Sequence, residues 1–258
     1  MIEDSLKFPI TKCIYNLRNK ELKKTNSTAI LSLRVLSAAI LSLCEDAFTL
    51  LEKKHVFTAC SLTCQAIEAQ IQLLCIDKLF ETKGRDYYEF AFVEQLRSLE
   101  MSPQWQENTL KRMQNYQCER FFNGKGKNTL DINSYHKHWY QSFANTIKDM
   151  GNIAFPHLKN ILISHNINVF QEYNDINILY ENYQTLCGFK HFSPFIVGDT
   201  YRVQKKFFED PKTNHEKVAL ICIYIILIST IFILNNHNEK IPTDDCLITL
   251  EPFHTGDE

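Results

Sequence analysis

Apolar residues recur at three- and four-residue steps through much of the chain, the period of a helix that buries one stripe. The clearest stripe is Ile30, Leu33, Leu36, Ile40, Leu43, Ala47 and Leu50, with Ser27 placed to cap its start. A second stripe follows His55: Phe57, Cys60, Cys64, Ile67, Ile71 and Leu74. Two long helices across so short a junction are expected to pack as an antiparallel pair. Ahead of them, residues 4–22 predict a partly amphipathic helix that ends in the charged run from Lys20 to Lys24.

Beyond Gly84 the pattern predicts a helix over 86–100, with Tyr88, Phe92 and Leu96 on one side. Ser102 and Pro103 form a cap followed by proline at the first helical position, which opens a helix to about Phe121. Asn123 to Asp131 reads as a loop. A helix from about Ser134 to Met150 is expected to stop at Gly151, and Pro156 to start a shorter one reaching His165. Asn174 or Asp175 caps a helix carrying Ile178, Tyr180, Tyr183 and Leu186. The stretch from Gly188 to Gly198, which contains Pro194, is less regular.

The last helix, capped by Thr213 or Asn214, contains the uncharged run Val218 to Leu234, close to the lower length limit for a membrane span. It lacks a basic flank on its C-terminal side and includes Ser229 and Thr230. A helix apolar all round is what a central bundle helix looks like, so burial in the core is the preferred reading over a membrane anchor. The tail from Ile241 is polar and expected to be loosely held, with Cys246 to Leu250 as a short extended segment. No repeat or low-complexity linker divides the chain. The expected fold is an all-α, single-domain bundle of about seven to nine helices over 1–240, with a polar tail at 241–258.

Composition agrees. Only 7 Gly and 7 Pro occur in 258 residues, too few for the frequent turns of sandwiches and barrels. A formal net charge of -2 gives none of the basic excess that drives non-specific nucleic-acid binding. Nine cysteines, an odd number in so long a chain, do not suggest a disulfide scaffold. Cys44, Cys60, Cys64, Cys75 and Cys222 fall in apolar helical patterns, where a thiol behaves as a small hydrophobe. Met1 to Phe8 carries Glu3, Asp4 and Lys7, unlike a secretory leader, so a cytoplasmic location is expected.

Familiar catalytic signatures are absent. The Gly124–Lys127 turn lacks the spacing and the following Ser or Thr of a phosphate loop, and no Gly-x-Ser-x-Gly or His-Glu-x-x-His occurs. His136 and His138 stand two apart, on different faces of a helix. Cys60 and Cys64 have no second ligand pair at metal spacing, so neither metal nor cofactor is expected. Glu68 lies on a helical face with Cys64, Ile71 and Cys75, a costly place for a carboxylate without a partner. A bond to a buried Tyr or His that fixes helix register would satisfy it. His191, in the run LCGFKHFSPF, sits just beyond a helix and is able to act as a general acid or base near neutral pH.

Two segments, CSLTCQAIEAQIQLLCIDKLF (60–80) and ILYENYQTLCGFKHFSPFIV (178–197), together with the apolar last helix, resemble uncharacterised bacterial helical proteins of the HEPN-like kind. The resemblance covers roughly residues 30–235. That group's first segment reads Arg-x-x-x-Glu and its second Tyr-x-x-x-Ser/Cys-x-x-x-His; Glu68, Tyr183, Cys187 and His191 stand at the matching places. The resemblance implies a helical bundle from a bacterial stress or phage-defence system, with some relatives cutting RNA. In HEPN ribonucleases an Arg four to six residues before the His stabilises phosphate charge while the His moves a proton at the ribose 2′-hydroxyl. Here Thr185 to Lys190 contain no Arg, and Cys64 replaces the Arg of the first segment. The expected function is therefore binding of a protein or RNA partner, with a homodimer anticipated. An active metal-independent endoribonuclease is the alternative, with His191 as acid/base, Lys190 on the phosphate, and Glu68 and Tyr183 orienting. A third reading is a membrane-linked effector that inserts residues 218–234.

Overall fold

A computed structural model describes residues 2–80, 83–84, 87, 147–167, 177–191 and 214–247. Their regular elements are all helical, with no strand among them: α1 (Ile2–Arg18), α2 (Thr28–Glu52), α3 (Val56–Lys78), α4 (Ile147–Ser164), α5 (Asn177–Lys190), α6 (Asn214–Asn236) and a 3-10 turn at Asp244–Cys246. The all-α expectation holds. The helices predicted over 86–100 and 103–121, and the loop at Asn123 to Asp131, lie outside the described residues.

The α2–α3 pair forms as the apolar stripes require. Ser27 accepts a hydrogen bond from the Ile30 N–H through its side chain and starts α2. Only residues 53–55 separate α2 from α3, and Lys54 makes the reversal possible with a left-handed φ of 62°. From there α3 becomes the hub, packing against α2, α4, α5 and α6. Its partners surround it, so Cys60, Cys64, Ile71, Leu74 and Cys75 are all buried.

α6 packs against α1, α2, α3 and α4, and every residue from Leu220 to Leu234 except Ile221 is buried. Two hydroxyls in this apolar run, Ser229 and Thr230, need partners. Gln70 of α3 supplies both: its amide N–H donates to Ser229 Oγ at 2.8 Å, and its carbonyl accepts from Thr230 Oγ1 at 3.0 Å. α2, α3 and α6 are each long and apolar enough to cross a membrane.

Three boundaries differ from expectation. α1 ends at Arg18 rather than residue 22; Lys20 and Lys23 instead donate to the Lys240 and Asn238 carbonyls beyond α6. Gly151 and Pro156 interrupt nothing, since α4 runs through both. Pro156 leaves the Asn152 carbonyl without its helical donor, but both residues are exposed and water is available there. Gly151 is buried against Phe155, where an added Cβ would lie 3.1 Å from the ring, so its role is close packing.

The start of the tail is held, not loose. Ile241 and Cys246 are buried. Asn235 brackets Ile241, accepting from its N–H and donating to its carbonyl. Asn16 donates to the Pro242 carbonyl at 3.0 Å, and the Tyr224 hydroxyl to the Cys246 carbonyl at 3.1 Å. Cys246 closes a 3-10 turn where an extended segment was expected to begin.

Candidate functional site

Helical spacing puts Cys64 and Glu68 one turn apart on α3, and Tyr183, Cys187 and Lys190 along one face of α5. Because α5 packs on α3, the two sets meet. Tyr183 donates its hydroxyl to Glu68 Oε1 at 3.1 Å, and the Lys190 ammonium donates to Glu68 Oε2 at 2.6 Å. Beside them the Cys64 and Cys187 sulfurs lie 3.2 Å apart. The cluster is half-buried: the side chains of Glu68 and Lys190 are 22% and 27% exposed.

Three groups of the cluster are shifted by their surroundings. Burial pushes the Tyr183 hydroxyl well above its ordinary range, reinforced by Cys187 and by the negative charge of Glu68, so it remains a donor. Burial likewise raises the Cys64 thiol, with Cys187 and Glu68 adding to the effect and Lys190 opposing it. Burial alone would lower Lys190, but its hydrogen bond to Glu68 and the carboxylate charge outweigh that and raise it. The resting cluster is thus a neutral phenol and thiol around a charged carboxylate–ammonium pair. Cys64 Sγ, Cys187 Sγ and a Glu68 oxygen all lie within 4.8 Å of one another, a donor set able to hold a metal ion.

The four residues singled out in the sequence therefore separate. Glu68, Tyr183 and Lys190 come together. His191 is the exposed residue just past the end of α5, anchored by its backbone N–H to the Cys187 carbonyl at 3.0 Å. Among the described residues its imidazole forms no hydrogen bond or ion pair with the other three.

No protein-family model, curated protein or solved structure gives a significant match to the chain.

Sequence reasoning passed over a second polar cluster. Asp77, near the end of α3, receives His157 Nε2 of α4 on one carboxylate oxygen and His237 Nε2 on the other, each at 2.7 Å. Burial works against its ionisation, but the two imidazole hydrogen bonds prevail and hold its pKa below the ordinary carboxylate range. His237 also stacks on Phe80, with ring centroids 4.1 Å apart. The available signal was the one that drew attention to Glu68, a carboxylate inside an apolar run, here Leu74-Cys75-Ile76-Asp77. Cys187 was visible only as a motif position, because its neighbour Cys64 is 123 residues away.

Proposed function

We propose that this chain is a HEPN-like helical component of a bacterial defence or toxin-type system, cytoplasmic, acting by binding a protein or RNA partner rather than by cutting RNA. The observation that carries this reading is the engagement of Lys190. The cation assigned to a phosphate in the nuclease reading is ion-paired to Glu68 at 2.6 Å, and Tyr183 occupies the other carboxylate oxygen. His191 is exposed at the helix end and shares none of these bonds. A general acid/base gains much of its effect when the transition-state charge is also stabilised within reach. Releasing Lys190 would leave the Glu68 charge half-buried without its counter-ion, a cost the substrate would have to offset.

In this reading the whole chain forms one bundle of about seven to nine helices, with those predicted between residues 86 and 150 added to the described ones. A homodimer is the expected assembly, its interface drawn from the 18 Phe and 11 Tyr of the chain. The membrane reading has one observation in its favour, the three helices long and apolar enough to span a bilayer.

The deciding experiment incubates purified protein with labelled total RNA in EDTA, comparing wild type with His191→Ala and following RNA retention and co-purifying protein alongside. The expected result is no cleavage by either protein, with a partner or RNA retained. Cleavage by wild type alone would overturn the proposal and place an active site at His191. Protein that pellets with membranes and resists salt extraction would favour insertion of residues 218–234.

A further inference from the structure

Three donor atoms of two chemical kinds converge where α3 and α5 pack, and the partner-binding reading makes no use of their convergence. Cys64 and Glu68 come from one turn of α3, and Cys187 from α5. A close thiol pair has two uses. A disulfide requires sulfurs about 2.05 Å apart. A tetrahedral zinc ion with Zn–S bonds of about 2.3 Å holds two sulfurs roughly 3.8 Å apart. The observed 3.2 Å is the contact of two reduced thiols, a starting point for either. A carboxylate oxygen within 4.8 Å of both sulfurs completes a set for which a disulfide has no need.

We propose that Cys64, Glu68 and Cys187 form a site for a thiophilic divalent cation, zinc by preference, with its fourth position facing solvent. Two thiolates select zinc over magnesium or calcium, which take oxygen ligands. Lys190 balances the charge rather than opposing the cation. With both cysteines protonated, the two thiols and the Glu68–Lys190 ion pair carry no net charge. Binding replaces the two thiol protons by one Zn²⁺, and both protons leave to solvent. Three anionic ligands around a dication total −1, which the Lys190 ammonium cancels. Tyr183, donating to Glu68 Oε1, orients the carboxylate as outer partners of metal ligands do. Entry is through the half-exposed side of the cluster, where Cys187 and Glu68 reach the surface.

The test uses the full chain, reduced with a phosphine and stripped with chelator, then titrated with Co²⁺ as a spectroscopic probe and displaced with Zn²⁺. We expect one cobalt per chain and an intense near-ultraviolet thiolate-to-cobalt band with the visible bands of a tetrahedral ion. Zinc should abolish these bands, release two protons and raise the melting temperature. Cys187→Ser and Glu68→Gln, checked for fold by circular dichroism, should each weaken zinc binding about tenfold or more. No charge-transfer band in wild type would overturn the proposal, as would a band undiminished in Cys187→Ser. So would ready oxidation of Cys64 and Cys187 to a disulfide in a protein whose spectrum and melting temperature ignore both metals. These readouts involve no RNA, so they stand or fall apart from the partner-binding proposal.

Discussion

Arg34 and Glu239 show how one residue pair ties distant parts of the chain. The Arg34 guanidinium engages Glu239 Oε1 through both Nε and a terminal nitrogen, with side chains only 12% and 3% exposed. Glu239 is carried into the interior by a turn in which Asn238 and Lys240 adopt left-handed φ values of 69° and 42°. Removing one partner leaves a buried charge unmatched, so Arg34→Ala is expected to cost about 3–5 kcal/mol in urea denaturation. Arg34→Met with Glu239→Leu should recover most of that loss. If the double variant is as unstable as the single one, the pair is not what holds the turn. Glu68 is more exposed, and Lys190 is able to reach water, so Glu68→Ala should cost less, about 1–2 kcal/mol. The pH dependence belongs to Asp77. Its folded pKa is depressed below its unfolded value, so its contribution is present above the unfolded pKa near 4 and is lost as pH falls through the lower folded value. Stability measured from pH 5 downward should therefore decline more steeply in wild type than in Asp77→Asn. Equal slopes would remove the assignment.

At the scale of elements, α6 and α3 are registered by polar groups, while apolar contact supplies most of the burial. Leu, Ile and Val surfaces slide past one another at little cost in specificity, but Gln70 meets Ser229 and Thr230 in only one alignment. Gln70→Leu strands two buried hydroxyls, though each retains a bond to a carbonyl one turn back on α6. The expected loss is about 1–3 kcal/mol in thermal or denaturant unfolding. A second contact, between Gly84 and α2, depends on the absence of a side chain. A Cβ at Gly84 would fall 2.5 Å from Ala29 Cβ, while its carbonyl accepts from Ser32 Oγ at 2.6 Å. Gly84→Ala should lower the melting temperature, and pairing it with Ala29→Gly should restore part of the loss.

Across the whole molecule, the legible and illegible parts follow from sequence separation. The α2 and α3 stripes, the Ser27 cap and the buried α6 could be read directly, since each is set by side chains within a few turns of one another. Helix ends fared worse where tertiary contacts overrode local signals: Gly151 packs on Phe155, and Pro156 sits on an exposed face that tolerates its missing donor. Glu68 was recognisable as a carboxylate in need of partners because its apolar neighbours lie on the same helix. Which partners it has was not recognisable, for Tyr183 and Lys190 are 115 and 122 residues away. By itself, then, the sequence determined the helical class, the central pair, the apolar last helix and the positions where polar groups demand satisfaction. Only the tertiary structure decided that Lys190 closes on Glu68, that His191 is left outside, that Cys64 meets Cys187, and that Asp77 joins two histidines. Periodicity is a property of neighbouring residues, whereas a site is assembled from residues that meet only after the helices have packed.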